Sequence, residues 1–142
     1  MTSNKEVAPK LKILIAMGTR PEIIKLAPLI WAAKSHPLIE TIVCHSGQHA
    51  DLAEPMLEYF QLKPDIHLEL MKSHSSLPSL FGGCMSRIDD VFREYKPQLV
   101  VTQGDTATCA AITLAHSTRV CPLCTSKLAC EPEISFHLGR KN

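Results

Sequence analysis

KILIAMGTRPEIIK, residues 12–25, reads as a β-strand that turns directly into a helix. Ile13 to Met17 is a continuous apolar run, which suits a strand buried on both faces of a parallel sheet. Gly18 allows a tight strand exit. Thr19 and Arg20 make a charged turn, and Pro21 then opens an amphipathic segment. Proline suits a first helical turn because its missing N–H had no intrahelical partner there. The free N–H groups of the new helix, with Arg20 beside them, make a place for an anion. An ordinary strand-to-helix turn with no ligand accounts for the same residues.

Working outward, the helix is expected from Pro21 to about Ser35, with Ile23, Leu26, Ala27 and Ile30 at helical spacing. Pro28 lies inside it and should bend it or remove a hydrogen bond. A second strand is predicted at Glu40–His45, running into Ser46-Gly47-Gln48-His49. A helix follows over Asp51–Phe60, with Leu52, Met56, Leu57 and Phe60 as its apolar face. Ile66–Leu70 alternates as a short strand, and Leu77–Tyr95 reads as a third helix despite Gly82-Gly83. Leu99–Thr102 is a fourth strand, and Gly104-Asp105-Thr106 leads into a helix of small residues. Such alternation predicts an α/β fold with a doubly wound parallel sheet and right-handed crossovers. Ligands of that architecture collect at the carboxyl ends of the strands. Gly18-Thr19-Arg20, Ser46-Gly47-Gln48-His49 and Gln103-Gly104-Asp105-Thr106 all fall there and should face one cleft.

With 142 residues, 45% of them hydrophobic and 20% charged, the chain has the composition of an ordinary soluble domain. A net charge of +1 gives no support for nucleic acid or a membrane surface as partner. No apolar run approaches a bilayer span. The opening MTSNKEVAP has no apolar secretory core, so a disordered start (residues 1–10) and a cytoplasmic location are expected. Six cysteines are then expected to be reduced thiols.

Asp105, between a strand and a helix, is either an N-cap or a carboxylate able to move a proton. Lys25 lies one turn into the first helix, where it reaches toward an anion or simply meets solvent. His49 is a polar-site residue or a turn closure, and His45, on a strand, reads as packed. Walker and GxGxxG loops are absent from the sequence.

Taken together, these clusters resemble the non-hydrolysing UDP-N-acetylglucosamine 2-epimerases. GTRPEIIKLAPL (residues 18–29) is similar to that family's opening signature almost letter for letter. SGQH (46–49), MLEYF (56–60), KPD (63–65), LMK (70–72) and QGDT (103–106) follow in the family's order, so the likeness covers residues 11–115. The resemblance implies two Rossmann-like domains facing each other across a nucleotide-sugar cleft, as in glycosyltransferases of the B type, with this chain similar to the first. It implies an isomerase that needs neither metal nor nicotinamide and works as a homodimer. The C2 proton is removed, UDP is eliminated to leave a glycal-type intermediate, and UDP re-adds after reprotonation on the opposite face. Arg20 matches the UDP-contacting arginine, with Gly18, Thr19 and Pro21 beside it as substrate-binding residues. Lys25 and Asp105 match residues implicated in catalysis. Gln48 and His49 match a segment that helps hold a second, regulatory UDP-sugar, although Ala50 stands where the family often has a basic residue.

After Ala115 the motifs stop, and HSTRVCPLCTSKLACEPEISFHLGRKN stands where the family has an IPVxHVEAGLRT strand and turn. One reading is a zinc site made of Cys121, Cys124, Cys130 and His137. The other is a slip of reading frame: back-translated and displaced by one nucleotide, Cys124 onward yields VHVEAGLRTGNL. On that reading residues 116–142 are an out-of-frame tail, and the chain is catalytically inactive alone. Two rivals are a stand-alone UDP-sugar-binding half-domain, or one that pairs with a full-length subunit, and a glycosyltransferase of the same architecture.

Overall fold

The computed structural model describes residues 9–47, 50–70, 76–117, 123–126 and 134–137. Its elements are β1 (Leu11–Met17), α1 (Arg20–Ser35), β2 (Ile39–His45), α2 (Ala50–Tyr59), β3 (Ile66–His67), α3 (Leu77–Tyr95), β4 (Leu99–Gln103), α4 (Ala107–Ser117), β5 (Leu123–Ser126) and β6 (Ile134–His137). They form one sheet in the order β3-β2-β1-β4-β5-β6. The pairs β1–β2, β1–β4, β2–β3 and β4–β5 are parallel, and β5–β6 is antiparallel. The chain builds outward from β1 on one side and then crosses to β4 on the other. The switch point therefore lies between the carboxyl ends of β1 and β4, where such sheets leave a crevice.

Alternation along β1 divides the core into two layers. Leu14 and Ala16, with Ile42, Cys44 and Val100, pack under Ile88, Val91 and Phe92 of α3 and Ala111 and Ile112 of α4. Ile13, Ile15 and Met17, with Val43 and Val101, pack under Ile23, Leu26, Ala27 and Ile30 of α1 and Ala53 and Leu57 of α2. Each fully buried aliphatic or aromatic side chain contributes roughly 1.5–3 kcal/mol, so a strand covered on both faces anchors the domain. This is the doubly wound sheet expected from the apolar run at Ile13–Met17.

Local signals account for the helix ends. Pro21 sits in the first turn of α1, and Ser76 Oγ caps α3 by accepting from Ser79 N at 3.3 Å. Lys96 closes α3 in the left-handed conformation, its N–H bonded to the Phe92 carbonyl. Helix α1 continues through Pro28. Ile24 and Pro28 are both exposed, so the carbonyl that loses its partner faces solvent. At the far end of that helix the Trp31 indole N–H donates to the Phe60 carbonyl at 3.1 Å and ties α1 to the end of α2.

Three expectations need correcting. Strand β3 ends at His67 rather than Leu70 because Glu69 takes a positive φ of 50° that no strand accommodates, although Leu68 and Leu70 are still buried. Leu52 does not belong to the buried face of α2. It is 61% exposed, and Ala53 and Leu57 are the buried residues of the helix. Beyond residue 115 the sequence reading placed no element, yet β5 pairs in register with β4 and β6 with β5.

Candidate functional site

The switch point is organised by a residue that the sequence reading passed over. Glu22 is the third residue of α1, and its side chain turns back over the helix start and is only 2% exposed. Its Oε2 accepts from the backbone N–H of Gly18 and, at 3.1 Å, from that of Thr19. Its Oε1 accepts from the Thr106 hydroxyl at 2.5 Å, across 84 residues of chain. The same Thr106 Oγ1 accepts from Cys109 N at 3.2 Å and so caps α4. One carboxylate thus joins the loop after β1 to the loop after β4. The signal was present as Thr19-x-x-Glu22, the pattern of a capping box in which the third residue satisfies the cap's own N–H.

The loop after β2 reaches the same junction. Ser46 N bonds to the Met17 carbonyl at 2.9 Å, and the Thr108 hydroxyl donates to Ser46 Oγ at 3.1 Å. Gly18 lies between these two side chains. A Cβ added there would sit 2.6 Å from Ser46 Oγ and 2.6 Å from Thr108 Oγ1. Gly18 is therefore demanded by crowding and not by backbone conformation, since its φ is outside the left-handed region. Gly104 does need its freedom: its φ is +105°, and the loop passes directly over the Glu22 carboxylate.

Two sequence expectations change here. The cap of α4 is Thr106, not Asp105, which leaves the Asp105 carboxylate exposed. Asp105 stands at the mouth of two open grooves on either side of the α4 start. One of about 470 Å³ runs along Cys109, Thr113 and Leu114, and one of about 510 Å³ lies against Leu77, Pro78 and Phe81. The second change concerns the anion site at the start of α1. The helix N–H groups were expected to take an anion, and in the turn just before them the N–H groups of Gly18 and Thr19 are held by Glu22. Arg20, Pro21 and Lys25 are exposed, so an arriving anion meets side-chain cations rather than those two amides. Gln48 and His49 lie outside the described residues. So do Cys121 and Cys130 of the zinc reading, and the side chains of Cys124 and His137 are likewise not described. Among the described residues no cluster of three metal-ligating side chains occurs. Cys44, Cys84 and Cys109 are free and buried, and burial pushes the Cys44 and Cys84 thiols up to about 12.

His45 closes β2 on the α1 side of the sheet, in register with Met17, and is 3% exposed. Burial first, then the neighbouring His67 at 6.0 Å, holds its pKa below the ordinary histidine value, with a hydrogen bond to the Gly18 backbone opposing them. Its Nε2 has no hydrogen-bond partner among the described residues. The sign follows directly. Above the unfolded value of about 6.5 both states are neutral, and the stability is fully present. As pH falls below it the unfolded chain takes up the proton first, and stability is lost until the lower folded value is reached. Urea midpoints are thus expected to fall between about pH 7.5 and about pH 5, and His45→Val should flatten that part of the slope. An unchanged slope in the variant would refute the assignment.

Against this geometry, a family model described as UDP-N-acetylglucosamine 2-epimerase matches residues 32–124. The UDP-N-acetylglucosamine 2-epimerase of Salmonella borreze is 39% identical over 104 residues, covering 73% of this chain and 28% of that protein. The enzyme of that name from Bacillus subtilis (strain 168) is 39% identical over 106 residues, with 75% and 28% covered. Among solved structures, the Neisseria meningitidis UDP-GlcNAc 2-epimerase bound to UDP-GlcNAc superposes with a TM-score of 0.76 at 36% identity, covering 80% of this chain and 31% of that one. The Methanocaldococcus jannaschii enzyme in complex with UDP-GlcNAc and UDP gives 0.73 at 30%, with 80% and 32% covered. The chain thus spans about 28% of the length of the curated relatives it matches. Among the described residues no helix is long and apolar enough to cross a membrane. Strand order, the crossing of three loops at β1 and β4, and a match over most of its length place this chain in the UDP-N-acetylglucosamine 2-epimerase family.

Proposed function

We propose that this chain is the nucleotide-sugar-gripping N-terminal domain of an epimerase that interconverts UDP-N-acetylglucosamine and UDP-N-acetylmannosamine by eliminating and re-adding UDP. The observation that carries the reading is the Glu22 bridge, which brings the Arg20 loop and the Asp105 loop together at the switch point. Arg20 faces the diphosphate, whose leaving charge a cation favours, and Lys25 adds to that field. Asp105, free of capping duty, is the carboxylate in place to move a proton. By family resemblance the enzyme is a cytoplasmic homodimer that supplies precursors of cell-surface polysaccharide, with Gln48 and His49 at a regulatory UDP-sugar site.

The 142-residue chain by itself is expected to bind UDP without turning over UDP-N-acetylglucosamine, since by family resemblance the motif absent after Ala115 supplies a glutamate and an arginine that the reaction needs. The out-of-frame reading of residues 116–142 rests on the back-translated VHVEAGLRTGNL, and resequencing the DNA over the codons for Leu114–Cys124 decides it. A stand-alone or subunit-pairing binding module is favoured by one observation: both core layers are closed by the chain's own helices. Calorimetric titration of the purified chain with UDP should show saturable binding. Arg20→Ala should weaken it by roughly 10- to 100-fold, as for a lost charge-assisted contact of about 1.5–3 kcal/mol. Binding indifferent to Arg20, or conversion of UDP-N-acetylglucosamine by the chain alone, would overturn this account.

A further inference from the structure

The geometry points to Glu22 as a positioning residue that sets the Arg20 loop against the Asp105 loop, its carboxylate holding the Gly18 and Thr19 amides of the turn before α1 and the Thr106 hydroxyl at once. This rests on the diphosphate-binding reading above and adds a residue to it. A carboxylate with 2% exposure is costly to bury unless its oxygens are fully engaged. Here both oxygens are engaged, by two backbone donors from one loop and a hydroxyl from the other. Removing either end of the bridge takes away the side-chain tie between the loops. Without Thr106 the carboxylate still caps α1, and without Glu22 the hydroxyl still caps α4. The Thr106 hydroxyl is, however, the partner that satisfies the buried Oε1, so the bridge completes the carboxylate's bonding and at the same time ties the two loops. That tie fixes the spacing of Arg20, two residues before Glu22, from Asp105, the residue next to Thr106.

The same placement bears on selectivity for the ligand's charge. A phosphate group arriving at the start of α1 finds Gly18 N and Thr19 N occupied by a carboxylate of its own sign. Beyond them the exposed Arg20 guanidinium offers a planar fork of donors suited to phosphate oxygens. Glutamine at position 22 keeps the length and an acceptor for the amides, and its amide N–H₂ is able to donate to Thr106 Oγ1. The bridge survives in altered form. Alanine abolishes it.

The experiment has two arms, both on the full chain. In the first, without ligand, amide hydrogen exchange is followed by NMR. Thr106→Val should speed exchange of the Gly18 and Thr19 amides by about tenfold or more, because the disturbance crosses the bridge. Faster exchange confined to α4 means that Thr106 only caps its helix, and overturns the proposal. In the second arm, UDP affinity is measured at a temperature where circular dichroism shows each variant folded. Glu22→Ala and Thr106→Val should each weaken binding about tenfold, their combination should add little to either alone, and Glu22→Gln should stay within about threefold of the parent. Additive losses, or lower melting temperatures with unchanged affinity, assign Glu22 a purely structural part and overturn the proposal. Tighter binding by Glu22→Ala does the same, since Glu22 would then be only a competitor for the amides. If the parent shows no saturable UDP binding, the reading of function fails, and the exchange arm alone decides whether the two loops are coupled.

Discussion

Gly18→Ala is expected to destabilise the domain by about 1–3 kcal/mol, a large effect for a single methyl group, because it overpacks a closed junction. The new Cβ would lie 2.6 Å from Ser46 Oγ, 2.6 Å from Thr108 Oγ1 and 3.1 Å from Thr108 Cβ. Both hydroxyls sit on short side chains that bond to each other, and Ser46 is tied through its own N–H to Met17. Relief by rotating a long side chain away is therefore not available. Moving the β1–α1 turn instead would strain the Glu22 bridge. Urea unfolding should show a lower midpoint with an unchanged slope. The cause is checked by repeating the substitution in a Ser46→Ala, Thr108→Ala background, where both clashing oxygens are gone. There the penalty should shrink to less than about half, the non-additivity expected of residues in contact. An equal penalty in both backgrounds would mean that Gly18 is required for its backbone and not for its size.

The larger loss is expected on the other side of the sheet. Phe92→Ala should remove about 3–5 kcal/mol, the range for emptying a buried aromatic position. Phe92 is among the largest fully buried side chains, 2% exposed in the last turns of α3. It packs in the layer formed with Leu14, Val100 and Ile112, and meets the His116 ring of α4 edge-on at 6.1 Å. The surroundings are helices and strand held by their own hydrogen bonds, so collapse into the cavity is limited. Small domains have about 5–15 kcal/mol in total, so this one change leaves little margin. Calorimetry or urea unfolding measures it, and a loss below about 1.5 kcal/mol would show that α3 repacks freely. UDP affinity of the folded fraction should not move, because Phe92 lies in the core layer and not at the loops.

The central fold was legible because its signals were strong and local. A strand buried on both faces has no polar interruption, and Ile13–Met17 shows none. Helix α3 was read as Leu77–Tyr95 despite its glycine pair, and its limits came out as read. Weaker elements failed for physical reasons. Apolar letters on α2 placed Leu52 inside, but the helix buries the face of Ala53 and Leu57 and leaves Leu52 in solvent. The site was read in outline. Its three loops were identified, and the structure brings Gly18, Ser46, Gly104 and Thr106 together, whereas Gln48 and His49 lie outside the described residues. The linking chemistry was missed, because a glutamate after proline in a first helical turn reads as an ordinary solvated charge favourable to the helix dipole. Nothing in one sequence announces that such a carboxylate is folded inward to meet a threonine 84 positions away.

The tie between the Trp31 indole and the Phe60 carbonyl has a practical consequence for anyone following this protein in solution. Trp31 is the single tryptophan of the chain, so its intrinsic fluorescence reports on the undocking of α1 from α2 and is blind to events under α3 and α4. Emission and far-ultraviolet ellipticity should give superimposable unfolding curves, because both helical layers grip the same central strand. In the Phe92 variant a split between the two curves would reveal that the layers had come apart as separate cooperative units.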